Sequence, residues 1–247
     1  MTIRLLLLAF VFVASALPAT AQDRIERILA GKVLRVGTTM DTPVFSMRNA
    51  ATGQLEGFDM DALATLSQAL GGVKVEYVKM TFGTMLPDLL ADKFDIAMSG
   101  MGRTLDRARV ATFSRPYMRY GKLLLIRAAD KDKYHSLEDL DKAGLKIAHN
   151  MGGLNERFAK VRFKNATPTG YASNELAFAD LIDGKADAQV ADSTSAVYLA
   201  AKDPRVVVMN LQNVFDPVYV AILVRREDQT LLNYINIWLD QIEMEGT

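Results

Sequence analysis

Leu90-Ala91-Asp92-Lys93-Phe94-Asp95-Ile96-Ala97-Met98-Ser99 and, far along the chain, Ile182-Asp183-Gly184-Lys185-Ala186-Asp187-Ala188-Gln189-Val190-Ala191 follow one plan. Each reads as a helix end, a turn, Lys-x-Asp and a short strand, so the chain is expected to hold two similar lobes. Around the first copy, residues 33–38 form a β-branched run, and 58–70 put Leu63, Leu66 and Leu70 on one helical face before Gly71-Gly72. Residues 73–78 then alternate as a strand, Met85, Leu86, Leu89 and Leu90 make a second helical stripe, and 94–98 read as a buried strand. Around the second copy the spacing predicts strands over 145–149 and 188–191 and helices over 153–163 and 174–182. Alternation of this kind predicts an α/β fold of two similar lobes with mainly parallel sheets.

Two apolar runs, 123–126 and 218–224, fall where the lobes would meet. They read as crossing strands, and two crossings make a hinge. The expected division is residues 22–121 plus 219–247 for lobe 1 and 122–218 for lobe 2. A last helix, with Leu231, Ile235, Leu239 and Ile242 on one face, is expected to pack on lobe 1.

Composition narrows the chemistry. With 50% hydrophobic and 23% charged residues the chain can build a core. Its 29 basic and 29 acidic side chains are scattered, which argues against nucleic acid or anionic lipid as a partner. The chain has no Cys, and its two His are His135 and His149, so thiol nucleophiles, disulfides and histidine metal clusters are excluded and neither metal nor cofactor is expected. Function must come from carboxylates, Arg, hydroxyls and backbone. At the start, Arg4, the apolar run 5–17 and Ala19-Thr20-Ala21 have the layout of a secretory signal peptide, residues 1–21. The run is shorter than the ~20 residues that span a bilayer. An exported, periplasmic protein is expected.

In open parallel sheets ligands bind beyond the carboxyl ends of the strands. That nominates segments 39–45, 99–107, 150–156 and 192–195, which would line one cleft. Gly100-Met101-Gly102 lacks the third Gly of a dinucleotide fingerprint and follows the third strand, so a nucleotide is set aside. The two glycines would let a small ligand approach Ser99, Gly100 and Gly102, with free N–H groups turned to the cleft. Arg107 in this loop offers a planar donor fork for a carboxylate, or is a surface residue beside Arg103 and Arg109. Gly152-Gly153 opens a helix whose first N–H groups and dipole suit an anion, unless this is a plain turn with Glu156 complementing the dipole. Asp192, before Ser193, Thr194 and Ser195, either faces an ammonium group or caps the helix expected over 194–201; helix chemistry alone favours the cap.

Taken in order, these segments resemble the periplasmic solute-binding proteins of amino-acid ABC transporters. The matching residues are Ile28-Leu29 with Lys32-Val33-Leu34-Arg35-Val36-Gly37-Thr38, Gly57-Phe58-Asp59-Met60-Asp61, Phe94-Asp95-Ile96-Ala97-Met98-Ser99-Gly100-Met101, Thr104-x-x-Arg107, Phe113-Ser114-x-Pro116-Tyr117 and Ala186-Asp187-Ala188-x-Val190-Ala191-Asp192. The resemblance implies a monomeric two-lobed clamp of the type II periplasmic-binding class that closes on one small carboxylate and serves a membrane permease. It places Arg107 and the Gly102 amide on the ligand carboxylate and Asp192 on its ammonium. That family often has an aromatic just after the first-strand Asp; here Thr42 follows Asp41, which leaves Phe45 and Phe82 as aromatic walls.

Asp23-Arg24-Ile25-Glu26-Arg27-Ile28-Leu29 and Asn150-Met151-Gly152-Gly153-Leu154-Asn155-Glu156-Arg157-Phe158-Ala159 also look like the exported cyclohexadienyl dehydratases, which use the residue matching Asn150 in their site. Those enzymes expel carbon dioxide and water from prephenate or arogenate, and the leaving hydroxyl needs a general acid. Where they carry a Glu this chain has Ser195; where they carry a Trp and a Thr it has Phe82 and Leu154. The expectation is therefore a binding protein without catalytic residues. A dehydratase with Glu156 and Asn150 in its site is the alternative, and a sensory ligand-binding module ranks third.

Overall fold

The protein is described from a computed structural model, over residues 23–209, 212 and 214–246. The expected signal peptide, residues 1–21, lies outside the described residues. The repeated decapeptide stops a helix in the same way twice. Helix Met85–Leu90 ends on Asp92 at φ +59°, and helix Asn174–Ile182 ends on Gly184 at φ +73°. The next N–H, Lys93 or Lys185, donates back to the carbonyl of Asp88 or Asp180 at 3.0 and 2.9 Å, the bond that closes a Schellman turn.

The Asp of Lys-x-Asp then pins the strand that follows. Asp95 Oδ2 accepts from the Arg35 N–H at 2.8 Å while the Asp95 N–H donates to the Arg35 carbonyl at 2.9 Å. Asp187 repeats both bonds with Lys146, each at 2.9 Å. In each lobe one aspartate fixes the register of the third strand against the first.

The sheets repeat accordingly. Lobe 1 has Lys74–Lys79, Val33–Thr38 and Ile96–Ala97 side by side and parallel, followed by antiparallel Leu223–Val224 and then Thr112–Phe113. Lobe 2 has parallel Thr167–Tyr171, Lys146–Asn150 and Ala188–Asp192, then antiparallel Met118–Arg127, which also carries Val206–Met209 and Phe215–Val220. Thr167–Tyr171 escaped the sequence pattern because Pro168 and Gly170 break its alternation, and Pro is tolerated there because the strand is at the sheet edge.

The run 218–224, expected as one crossing strand, is two. Phe215–Val220 belongs to the second sheet and Leu223–Val224 to the first, and the chain crosses at Ala221 and Ile222. The other crossing is not the expected run 123–126, which lies inside the second sheet within Met118–Arg127. It falls at residues 114–117, where Ser114 N–H donates to the Ile222 carbonyl at 2.8 Å and Tyr117 N–H to the Val220 carbonyl at 3.0 Å. Helix Gln229–Met244 buries Leu231, Ile235, Trp238 and Leu239 in the lobe 1 core with Leu34, Val36 and Leu63. Arg24, buried in the first helix, joins this end together through Asp95 at 2.8 Å and Asp228 at 3.1 Å.

Candidate functional site

The strand ends of the two lobes meet face to face. Asn174 N–H donates to Asp41 Oδ2 at 2.9 Å, and Ser195 Oγ donates to the Pro43 carbonyl at 3.0 Å, so the lobes are closed on one another. Gly152, at φ +79°, lies so near Gly83 that a Cβ there would overlap the Gly83 backbone. Asp41 and Ser195 thus serve the closed contact between lobes.

Arg107 sits in the short helix Leu105–Ala108, whose Thr104 Oγ1 accepts from the Arg107 N–H at 3.2 Å. Arg107 is 8% exposed, and its guanidinium donates from Nη1 to the Gly102 carbonyl at 2.9 Å. Among the described residues no carboxylate pairs with it. Burial lowers its pKa, opposed by the nearby Tyr120 and Asp192. The Gly102 bridge to Val220 is a non-hydrogen-bonded pair, flanked by Arg103 N–H to the Tyr219 carbonyl and Ala221 N–H to the Met101 carbonyl. The Gly102 N–H therefore points away from that strand, and no described residue accepts from it. A Cβ at Gly102 would lie 2.6 Å from Leu154 Cδ1 across the cleft, so a side chain there would push that leucine aside.

Asp192 departs from the cap reading. It occupies the N-cap position of helix Ser193–Lys202, yet its side chain accepts no helix N–H. It takes Lys122 Nζ instead. Lys122 lies directly opposite in the antiparallel register of Met118–Arg127 and Ala188–Asp192, and the two are 2% and 6% exposed. Burial lowers the Lys122 pKa, with Asp192 acting in the opposite sense. Lys122 Nζ also lies 5.0 Å from the ring centroid of Tyr120, whose OH donates to the Gly100 carbonyl at 3.0 Å. Sequence reasoning missed Lys122. The available signal was a cation entering the apolar run 123–126, which a buried strand can hold only with a partner.

Arg107, Tyr120, Lys122, Asn150, Leu154 and Asp192 enclose a void of about 10 Å³, no more than one water needs. Phe82 and Asn150 separate it from a cavity of about 480 Å³ that reaches Thr39, Asp41, Arg48, Lys79 and Asn174. The larger space is of ligand size and mixes the charged Asp41, Arg48, Lys79 and Glu175 with Met40, Met80 and Phe82, while the end holding Arg107, Lys122 and Asp192 is closed down. Gly153 lies against Phe82, and Asn150 Oδ1 accepts from Asn155 Nδ2 at 2.8 Å.

Other expected site residues stand behind this wall. Phe45 is fully buried, edge-on to Tyr120 with ring centroids 5.9 Å apart, and supports Gly100 from below. Ser99 Oγ is within 2.8 Å of both the Thr39 and Ser46 hydroxyls. The Gly100 N–H, expected free, donates to Asp59 Oδ2 at 2.7 Å. The Gly152 N–H is likewise taken, at 2.6 Å, by Glu156, which turns back on its own helix and lines neither void nor cavity. Lys160 and that N–H hold the Glu156 carboxyl below its usual pKa.

A model of the family described as bacterial extracellular solute-binding proteins, family 3, matches residues 34–247. Cyclohexadienyl dehydratase of Pseudomonas aeruginosa is 35% identical over 233 residues, spanning 94% of this chain and 86% of that protein. ABC transporter arginine-binding protein 1 of Escherichia coli is 26% identical over 222 residues, 88% of each chain. Among solved structures, that of an ancestral amino acid-binding protein, a precursor of cyclohexadienyl dehydratase, superposes with a TM-score of 0.84 at 38% identity, covering 90% of this chain and 95% of that one.

The Asp59 carboxyl behind Gly100 generates a pH dependence. Burial pushes its pKa up to about 7, although the Gly100 N–H and the Tyr117 OH, at 2.7 and 2.8 Å, favour the ionised form. In an unfolded chain an Asp titrates near ~3.9. Between these values the folded state holds the proton and the unfolded state does not. Asp59 therefore contributes stability that is present below about pH 4 and lost as pH rises through about 7, a few kcal/mol in all. Urea unfolding from pH 4.5 to 8 should show this decline in the wild type. Asp228, whose carboxyl burial also pushes up to about 7, adds a decline of the same sign. Asp59→Asn, which keeps an acceptor for Gly100, should therefore make the slope shallower without removing it; an unchanged slope would contradict the assignment.

Proposed function

This chain belongs to the bacterial extracellular solute-binding proteins of family 3, and on that premise we propose that it is an extracytoplasmic binding protein whose lobes close on an amino acid or a similar small carboxylate. Its expected signal peptide supports a periplasmic location, and its partner would be the membrane permease of an ABC transporter. The observation that carries the reading is the Arg107 guanidinium, buried between the lobes without a carboxylate partner among the described residues, beside an unclaimed Gly102 N–H. Taking a cation out of water is unfavourable unless a counter-charge arrives. A ligand carboxylate supplies that charge, and it becomes the reason for the lobes to stay closed. Phe82 and Asn150, which line both spaces, would lie along the body of the ligand as it extends into the larger cavity.

A dehydratase is the second reading, favoured by the 35% identity to cyclohexadienyl dehydratase. The side chains argue against it. Ser195 Oγ is engaged with the Pro43 carbonyl, and a hydroxyl is too weak an acid for this task. Glu156 is held ionised on its own helix start. Asp59 has a raised pKa, but it lies fully buried behind Gly100 and lines neither space. Binding without such a donor leaves the barrier to dehydration where it was.

Two measurements follow. In a thermal-shift screen of small carboxylates, a ligand at 100 times its dissociation constant should stabilise the wild type by about 2.7 kcal/mol. Arg107→Ala should remain folded and lose about 2–5 kcal/mol of affinity; an unchanged dissociation constant would remove the carboxylate clamp. Prephenate mixed with the protein at neutral pH should give phenylpyruvate no faster than buffer does, and rapid turnover would establish the dehydratase instead.

A further inference from the structure

The charges at the closed end of the cleft do not balance, and the imbalance bears on the class of ligand. Arg107 and Lys122 bring two cations and Asp192 one carboxylate, all three lining the same small void. Asp192 is the carboxylate that would meet an α-ammonium group, and Lys122 already holds it. The pair is set by the fold, since the two residues are register partners on adjacent antiparallel strands. An amino acid could reach Asp192 in two ways. It could expel Lys122, which would leave a buried ammonium group unpaired. It could instead share the carboxylate with Lys122, which would bring two ammonium groups together. Both are unfavourable in a site closed to water.

A ligand with oxygen at carbon 2 meets neither difficulty. Its single negative charge matches the single unpaired cation, Arg107. Its carbon-2 oxygen can accept from an N–H of Lys122, which has three and gives one to Asp192. Asn155, 6% exposed, lines the same void with an Oδ1 that has no hydrogen-bond donor among the described residues. It calls for a donor on the ligand, which a hydroxyl or an ammonium supplies and a 2-oxo group does not; the discrimination against an ammonium comes from the charge balance. A hydroxyl at carbon 2 can accept from Lys122 and donate to Asn155 Oδ1. We propose that the ligand is a 2-hydroxy or 2-oxo acid rather than a 2-amino acid, with Lys122 standing in the place of the ligand ammonium. The inference rests on the carboxylate clamp proposed above and narrows its ligand class.

The test uses matched sets that differ only at carbon 2: phenyllactate, phenylpyruvate and phenylalanine; 2-hydroxyglutarate, 2-oxoglutarate and glutamate; and the corresponding leucine and arginine sets. Titration calorimetry on the wild-type protein should show, in every set that binds, the hydroxy or oxo acid at least tenfold tighter than the amino acid. Lys122→Met frees Asp192 and should raise amino-acid affinity at least tenfold. The double variant Lys122→Met, Asp192→Asn removes both members of the pair and strands neither, leaving Arg107 as it is in the wild type, so it tests the same point if the single variant does not fold. It should bind the oxo acid and should not gain the amino acid. An amino acid binding as tightly as its oxo partner in the wild type would overturn this inference and leave the carboxylate clamp standing. Failure of every set to bind would overturn the clamp and the inference with it.

Discussion

A guanidinium buried without a counter-charge is the constraint around which the cleft is organised. Arg107 has one carbonyl bond, to Gly102 at 2.9 Å, and no carboxylate among the described residues. Desolvating a cation is tolerable only where its partner is supplied. The Arg24 cluster at the far end of lobe 1 shows the other solution, with Asp92, Asp95 and Asp228 on a single guanidinium. One arginine has its charge balanced by the fold and ties that end together. On the function proposed above, the other awaits a ligand carboxylate.

The scaffold brings that charge to the cleft through duplication of a small device. In each lobe a left-handed residue ends a helix, an Lys-x-Asp turn follows, and the aspartate clasps the first strand through its side chain and its backbone. The third strand therefore emerges at a set height, and the loop after it faces the other lobe. In lobe 1 that loop carries Gly100, Gly102 and Arg107; in lobe 2 the strand ends on Asp192. The paired crossings at residues 114–117 and 220–222 join the lobes through hydrogen bonds to each other, which makes them the natural axis of opening.

Much of this was legible in the sequence because it rests on local rules. Helix stops, Lys-x-Asp turns and strand-end loops are written in consecutive residues, and the place after a strand nominates the loop of Gly102 and Arg107, although only the family resemblance set Arg107 apart from a surface arginine. What escaped depends on contacts across the fold. Lys122 finds Asp192 through strand register, which periodicity does not reveal, so helix chemistry pointed to a cap that Asp192 does not form. Phe45 looked like a cleft wall, yet the bonds from the Phe58 N–H to the Val44 carbonyl and the Asp59 N–H to the Phe45 carbonyl draw that turn beneath Gly100. The Gly100 amide was expected to be free because its loop follows a strand into the cleft, and the Gly152 amide because it opens a helix. Their partners, Asp59 and Glu156, lie 41 residues away in the first case and four in the second.

The most direct test is a crystal structure of the protein with its tightest small carboxylate bound. The account predicts the ligand carboxylate within hydrogen-bond distance of both the Arg107 guanidinium and the Gly102 N–H, with the rest of the molecule passing Phe82 and Asn150 into the larger cavity. A ligand held wholly beside Asp41 and Asn174, with Arg107 still bonded to the Gly102 carbonyl alone, would contradict it.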